Sequence, residues 1–351
     1  MRFSKVLFYP GVAAFLLSAC SGGGAPPALP QQNVPLLQNV PLLQYATPKY
    51  KAVQLPAGFV PYAIMKDGKI PGSSGKKAAI YNNGTVKVLG QYNGEQTVAT
   101  SVNMLGVAVG FTSANTPTAS RAVKYANGAF SAYPYVPKCK DAGAAQTIND
   151  AGDVYGLCWE FGETDAPQMA RYAPGAPSLI NGPFSGRGAM YNVNNAGTFV
   201  YSGFFFANDD QQAAKGTGIS ASAVLPAKYL FTMATWINDA GTIVGSLSKM
   251  SSPPWTPFEA YVYPAGGSLK ILPLLPGATQ MFPVGVNKAG TVVGYWDNNG
   301  LFLYKSGVLY NITNSIMPAG IYSPYPGLAD SGDFVVNSTN GHYYVIKPAG
   351  P

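Results

Sequence analysis

The chain has 351 residues, 47% of them apolar and only 11% charged, with a formal net charge of +7. Its basic residues are scattered, with few close pairs such as Lys76-Lys77 and Lys138/Lys140, which is too dilute for a nucleic-acid groove, and a single histidine, His342, excludes a multi-histidine metal site. Glycine (41), proline (30) and tyrosine (23) are abundant and no long amphipathic pattern occurs, so short strands and tight turns are expected rather than helices.

In chain order, residues 1–19 read as a signal segment. Arg2 and Lys5 make a basic start, and Val6 to Leu17 is an apolar run too short to span a bilayer as a mature helix. Leu17-Ser18-Ala19-Cys20 resembles the lipobox of bacterial lipoproteins. The resemblance implies cleavage before Cys20 and acylation of its thiol and amine. Several acyl chains give stable anchoring, where one would not. Ser21 after the cysteine, with no aspartate there, resembles the pattern sent on to the outer membrane. The expected location is therefore the bacterial outer membrane, on its periplasmic face or at the cell surface. The plainer alternative is an ordinary secretory signal with an incidental cysteine.

Residues 20–47 read as a tether. Ser21 to Gly24 is flexible, Pro26, Pro27 and Pro30 stiffen the stretch after it, and Asn33-Val34-Pro35-Leu36-Leu37-Gln38 is duplicated as Asn39 to Gln44. The duplication reads as spacer, with its leucines against the domain or the lipid; a docking motif is the other reading. Without Arg2 and Lys5 the mature chain keeps 20 basic and 15 acidic residues, a charge of +5, which reads as a solubilising surface.

Residues 48–351 read as one repeat domain. Ile237-Asn238-Asp239-Ala240-Gly241-Thr242-Ile243-Val244-Gly245 recurs closely at 148–156, 193–200 and 286–294, and in degenerate form at 64–72, 102–110 and 328–336. The turn glycines are Gly68, Gly106, Gly152, Gly197, Gly241, Gly290 and Gly332. Their period of about 44 residues signals a propeller or solenoid array. An apolar run ending in Asn-x-x-Gly and followed by a second apolar run is a β-hairpin, strands a and b: asparagine caps a type I turn and glycine supplies the positive φ. A second signal, Tyr-x-x-Gly at Tyr81, Tyr125, Tyr172, Tyr263 and Tyr304, marks a hairpin of strands c and d. Repeat four is atypical there, with Val224 to Ala227, and repeat seven offers Lys347 to Gly350.

The expected fold is thus all-β: a seven-bladed β-propeller of four-stranded antiparallel blades. Repeat seven stops before its strand d, whereas Tyr50 to Pro56 resembles a strand d, so this N-terminal strand should complete the last blade and remove two exposed edges. Ile-Asn-Asp-Ala-Gly-x-Val-Val-Gly followed by Ala-Tyr-Val-Tyr-x-x-Gly resembles the extracellular HAF-repeat proteins of bacteria over roughly residues 60–350. The naming His-Ala-Phe tripeptide is mostly replaced, by Glu259-Ala260-Tyr261 and Arg121-Ala122-Val123 among others. That family implies the fold and an exported location, and no common activity.

Cys139 and Cys158, an even pair in an exported chain, read as a disulfide stapling repeat two to repeat three, with Cys139 late in strand d and Cys158 just after strand b. Closing a loop of about 20 residues contributes around 3 kcal/mol in the entropic account. The alternative is two buried free thiols.

No catalytic or phosphate-binding motif is present, and no cofactor or metal is implied. Asp67, Asp150, Asp239 and Asp330 lie inside a–b turns, where aspartate bonds the local backbone. The a–b and c–d turns share one face of an antiparallel blade; the b–c and d–a connections share the other. The second set varies: 111–120, 157–168, 202–220 and 246–258. Variable loops on a rigid scaffold carry binding residues. The candidate ligand-binding residues there are Trp159, Glu160, Glu163, Asp209, Asp210 and Trp255, joined by Trp296 and Asp297 from repeat six, aromatics beside carboxylates that suit sugar stacking or a protein hot spot. Taken singly, each of these aromatics reads as the cap of a blade end; the face as a whole reads as a binding surface. The functional expectation is a monomeric, non-catalytic binding or scaffold module for a protein or glycan, held to the membrane through Cys20. The alternative is a propeller-fold glycan hydrolase or lyase using Glu160, Glu163, Asp209, Asp210 or Asp297, two of them about 5–10 Å apart.

Overall fold

The computed structural model describes residues 47–113, 120–137, 139–160, 167–181, 188–205, 210–226, 229, 231–248, 257–297, 300–317 and 321–349. The signal segment, nearly all of the tether, Cys20, Glu163, Asp209 and Trp255 lie outside these residues.

Each turn glycine of the motif has positive φ, from 76° to 90°, and in each case its N–H donates to the carbonyl of the residue three earlier. The expected a–b hairpins therefore form, as in Gln96–Val102 with Ala108–Ser113 and Phe231–Ile237 with Ile243–Ser248. Strands c and d follow, and the described strands assemble into antiparallel four-stranded blades of a β-propeller; among the described residues the one helical element is a 3-10 turn at Thr313–Ser315. Hydrogen bonding groups these strands into six sheets, not seven: four of four strands, one of eight and one of five. The eight-stranded sheet arises at one point, where Gln211 of repeat four pairs in parallel with Phe231 of repeat five. The five-stranded sheet holds repeat seven and Tyr50–Gln54, joined by the two-residue strand Ile316–Met317.

The N-terminal strand Tyr50–Gln54 pairs antiparallel with Tyr343–Pro348 over five residues, so it lies where strand d of repeat seven would be. The buried apolar side chains among the described residues collect in seven clusters, each drawn from two consecutive repeats. One of them joins repeat seven to repeat one through Tyr325, Val335 and Val345 against Phe59, Ile70 and Tyr81.

Two details go beyond the local pattern. Strand a of repeats two to six carries a bulge three residues before the turn residue, at Thr100, Gln146, Tyr191, Thr235 and Val284. Such a bulge leaves one residue unpaired and turns its side chain. The Thr100 hydroxyl uses this to donate to Val109 O of its own repeat and Ala145 O of the next. The second glycine of the motif has a packing reason: a Cβ on Gly245 would lie 1.8 Å from Met233 O of strand a.

Three expectations need correction. The c–d hairpin of repeat four is not at Val224 to Ala227; strands Asp210–Thr217 and Ser220–Ala223 turn at Gly218, and Val224 and Leu225 are buried after strand d. The variable connections are shorter than read, because strands b run on to Ser113, Trp159, Phe205 and Ser248. Cys139 and Cys158 are bonded, with Cα atoms 5.7 Å apart, but Cys139 follows strand d in the connection between repeats, while Cys158 lies within strand b. Both are fully buried, so the bond clamps the incoming connection onto repeat three.

Candidate functional site

At the a–b turn end of the axis the turn residues build a closed polar plug. In repeats two to six the first turn residue is a buried asparagine that does two jobs. Its Oδ1 accepts from the N–H four residues on, as Asn194 does from Thr198 at 2.9 Å. Its Nδ2 donates to the carbonyl of the next repeat's turn: Asn103 to Asn149 (3.2 Å), Asn149 to Asn194 (2.9 Å), Asn194 to Asn238 (3.1 Å), Asn238 to Asn287 (2.7 Å) and Asn287 to Ala329 (3.4 Å). The second turn residue makes an inner circuit. Met104 N donates to Asp150 Oδ1, Asp150 N to Asn195 Oδ1, Asn195 N to Asp239 Oδ1 and Lys288 N to Asp330 Oδ1, at 2.8–3.0 Å.

Lys66 fills the middle. Its Nζ lies 2.6 Å from Asp150 Oδ2 and 2.8 Å from Asp239 Oδ2, and the Asn195 carboxamide donates to the same two oxygens. Burial opposes the charge on Asp150, but the Lys66 ammonium, the Met104 N–H and the Asn195 carboxamide hold its carboxyl below the usual range. The cavity left here is about 70 Å³, lined by residues of all seven repeats, including Lys66, Asn103, Asn149, Asn194, Asn238, Lys288 and Asp330. That space has room for a few waters. Among the described residues no group of three His, Cys, Asp or Glu side chains could hold a metal ion.

The opposite, loop-bearing face carries the candidates read from sequence. Trp159 ends strand b of repeat three and packs onto the cluster of Leu157, Met169 and Ile180; Glu160 follows it, partly exposed. Trp296 ends strand b of repeat six. Its indole leaves no room for a Cβ on Gly300, which would lie 2.0 Å from Cε2, and its Nε1 is buried without a partner among the described residues. Asp297 adopts φ +43° and its carboxylate takes the Thr279 hydroxyl (2.7 Å) and the N–H groups of Thr279 and Gln280. It pins the connection between repeats five and six. Asp210 opens strand c of repeat four, opposite Phe205. The two tryptophans belong to different clusters, so the structure does not gather the described candidates into one site.

It gathers another set instead. Phe231 and Phe258 lie edge to face at 5.1 Å between ring centroids; Phe258 and Phe282 are 5.4 Å apart, tilted; Phe282 and Tyr295 stack at 5.2 Å. All four rings are partly exposed, and all sit at the loop-side ends of strands in repeats five and six. Register places them in one layer: Phe231 and Phe258 both oppose Ser248, Phe258 bridges to Gln280, and Phe282 opposes Tyr295. The Tyr295 hydroxyl is pushed up to about 12, by burial first and by the Tyr191 hydroxyl of repeat four second. Sequence reasoning chose Trp296 and passed over its neighbour Tyr295. The available signal was a phenylalanine at the first or second position of three strands that follow variable connections.

No family model matches the chain, and no curated protein matches it. Among solved structures, YCF48 bound to D1 peptide aligns with a TM-score of 0.55 at 11% identity, covering 89% of this chain and 100% of that one. Virginiamycin B lyase from Staphylococcus aureus, with quinupristin, aligns with a TM-score of 0.54 at 11% identity, covering 85% and 99%. At such identities the likeness is one of fold.

Proposed function

We propose that this chain is an exported, lipid-anchored propeller of seven blades that binds a protein or a glycan on its loop-bearing face and carries out no chemistry. The blade number rests on the seven clusters between consecutive repeats and on the single residue pair at which the eight-stranded sheet divides into two four-stranded units. The HAF-repeat proteins are the family we place it with. The outer membrane, reached through acylation of Cys20, is its location, and the mature chain is a monomer.

One observation carries the binding reading: the row Phe231, Phe258, Phe282 and Tyr295, four partly exposed rings in one layer of the variable face. Aromatic rings supply large contact area at small conformational cost, which is why they dominate binding hot spots. At the other end of the axis the charged groups Lys66, Asp150 and Asp239 are spent on one another. Against the hydrolase or lyase alternative stands Asp297, whose oxygens already accept four hydrogen bonds from Thr279 and Gln280.

The test is affinity capture from envelope extract with the full chain immobilised, run beside a glycan array. A partner or glycan held by the native chain should be lost on Phe258→Ala/Phe282→Ala with melting nearly unchanged. Capture indifferent to that double substitution contradicts the assignment. Incorporation of a labelled acyl chain that Cys20→Ser abolishes is expected in parallel.

A further inference from the structure

The seven a–b turns share one design, and repeat two breaks it. In the other repeats the two tip residues are Lys66-Asp67, Asp150-Ala151, Asn195-Ala196, Asp239-Ala240, Lys288-Ala289 and Asp330-Ser331. In repeat two they are Met104 and Leu105, 59% and 78% exposed, among the few large apolar side chains so open to solvent. Their position is fixed, since Met104 N donates to Asp150 Oδ1 and Gly106 N to Asn103 O. Beside Leu105 lies a groove of about 240 Å³ between repeats two and three, lined by Leu105, Val107, Lys124, Tyr133, Asp150 and Ala151 among others.

The root of the tether is on this same face. Ala349 N donates to Lys49 O, Tyr50 pairs with Pro348, and a Cβ on Gly332, in the a–b turn of repeat seven, would lie 3.0 Å from Pro348 Cγ. The chain preceding the described structure therefore joins at the level of the a–b turns. A random coil of about 27 residues would have a root-mean-square span of about 30 Å. A domain of this size is roughly 50 Å across, so the root face is the one held nearest the anchor.

We propose that the a–b turn face is a bilayer-docking surface, in which Met104 and Leu105 enter the lipid interface and Lys124 meets an anionic headgroup. This rests on the reading of Cys20 as the lipid anchor. Docking in this sense turns the aromatic row of repeats five and six away from the membrane, where a partner can reach it.

The experiment uses the full lipidated chain on vesicles of phosphatidylethanolamine and phosphatidylglycerol. Ala151→Cys, on the adjacent exposed tip, and Ser113→Cys, at the loop-side end of strand b, are labelled singly with an environment-sensitive fluorophore and quenched by nitroxide-bearing lipids. Quenching at 151 should exceed that at 113 several-fold, and Met104→Asp/Leu105→Asp should bring 151 down to the level of 113 while the chain still floats with the vesicles. Equal quenching at both sites, or quenching at 151 that survives the double substitution, overturns the docking surface and leaves the anchor standing. A native chain that does not float removes the anchor, and the docking surface with it. A blue shift at 151 without vesicles assigns the groove to another occupant and overturns the lipid one: the chain's own leucines if independent of concentration, a second copy if it grows with concentration.

Discussion

Asn194→Ala tests whether the turn asparagines weld consecutive repeats together. Asn194 is 4% exposed. Its side chain accepts the Thr198 N–H at 2.9 Å and donates to the Asn238 carbonyl at 3.1 Å. Alanine leaves the buried Thr198 N–H unpaired, at about 1–3 kcal/mol, and takes one of two donors from the Asn238 carbonyl, which keeps the Gly241 N–H, at about 1 kcal/mol more. The sum is roughly 2–4 kcal/mol, and at about 2–4 °C per kcal/mol the melting midpoint should fall by roughly 4–16 °C. Asn194→Asp keeps the acceptor and loses the donor. Near neutral pH it sets a carboxylate against the Asn238 carbonyl, and its deficit should shrink as pH falls and the protonated acid donates. Circular-dichroism melts of the three chains across pH read this directly. An Asn194→Ala chain within about 0.5 kcal/mol of the native one, the range of ordinary surface changes, would refute the reasoning.

Three further outcomes rest on the same contacts. Deleting residues 48–56 removes a five-residue pairing and the buried side chains Tyr50 and Leu55, worth roughly 3–6 kcal/mol of apolar burial, and should lower the melting midpoint of the whole ring rather than of one repeat. Cys139→Ser/Cys158→Ser opens a loop of sequence separation 19 and should lower stability by about 3 kcal/mol in chemical denaturation; an unchanged midpoint would show that the bond constrains nothing. The carboxyl of Asp150, opposed by burial and held down by Lys66, Met104 and Asn195, has a depressed folded-state pKa. Its contribution is therefore present above the unfolded value near 4 and is lost as pH falls through the folded value. Asp150→Asn should flatten the acid limb of the stability profile, and an identical limb in both chains would count against the plug.

Much of the scaffold was legible because it is written in local chemistry. An Asn-x-x-Gly corner needs only its own four residues, and all seven glycines have the expected positive φ. The closing strand and the cysteine pair could also be found by comparing one repeat with another. What escaped depends on contacts between repeats. Nothing local says that the Asn194 carboxamide, already capping its own turn, also reaches a carbonyl 44 residues on. The bulges at Thr100, Gln146 and Tyr191 were equally hidden, and a bulge resets which side chains face the axis. The same limit explains the binding face. Trp159 and Trp296 stand out in the sequence by size, yet each packs against a different inter-repeat cluster, whereas the row from Phe231 to Tyr295 exists only once repeats five and six are side by side.

The claim on which the rest turns is that recognition belongs to the loop-bearing face. Hydrogen–deuterium exchange of the full chain, with and without the partner or glycan it captures, tests this most directly. The account predicts added protection in the strand ends holding Phe231, Phe258, Phe282 and Tyr295, with the a–b turns unchanged. Protection confined to the turns around Lys66, Asp150 and Asp239, with the aromatic row unaffected, would contradict it.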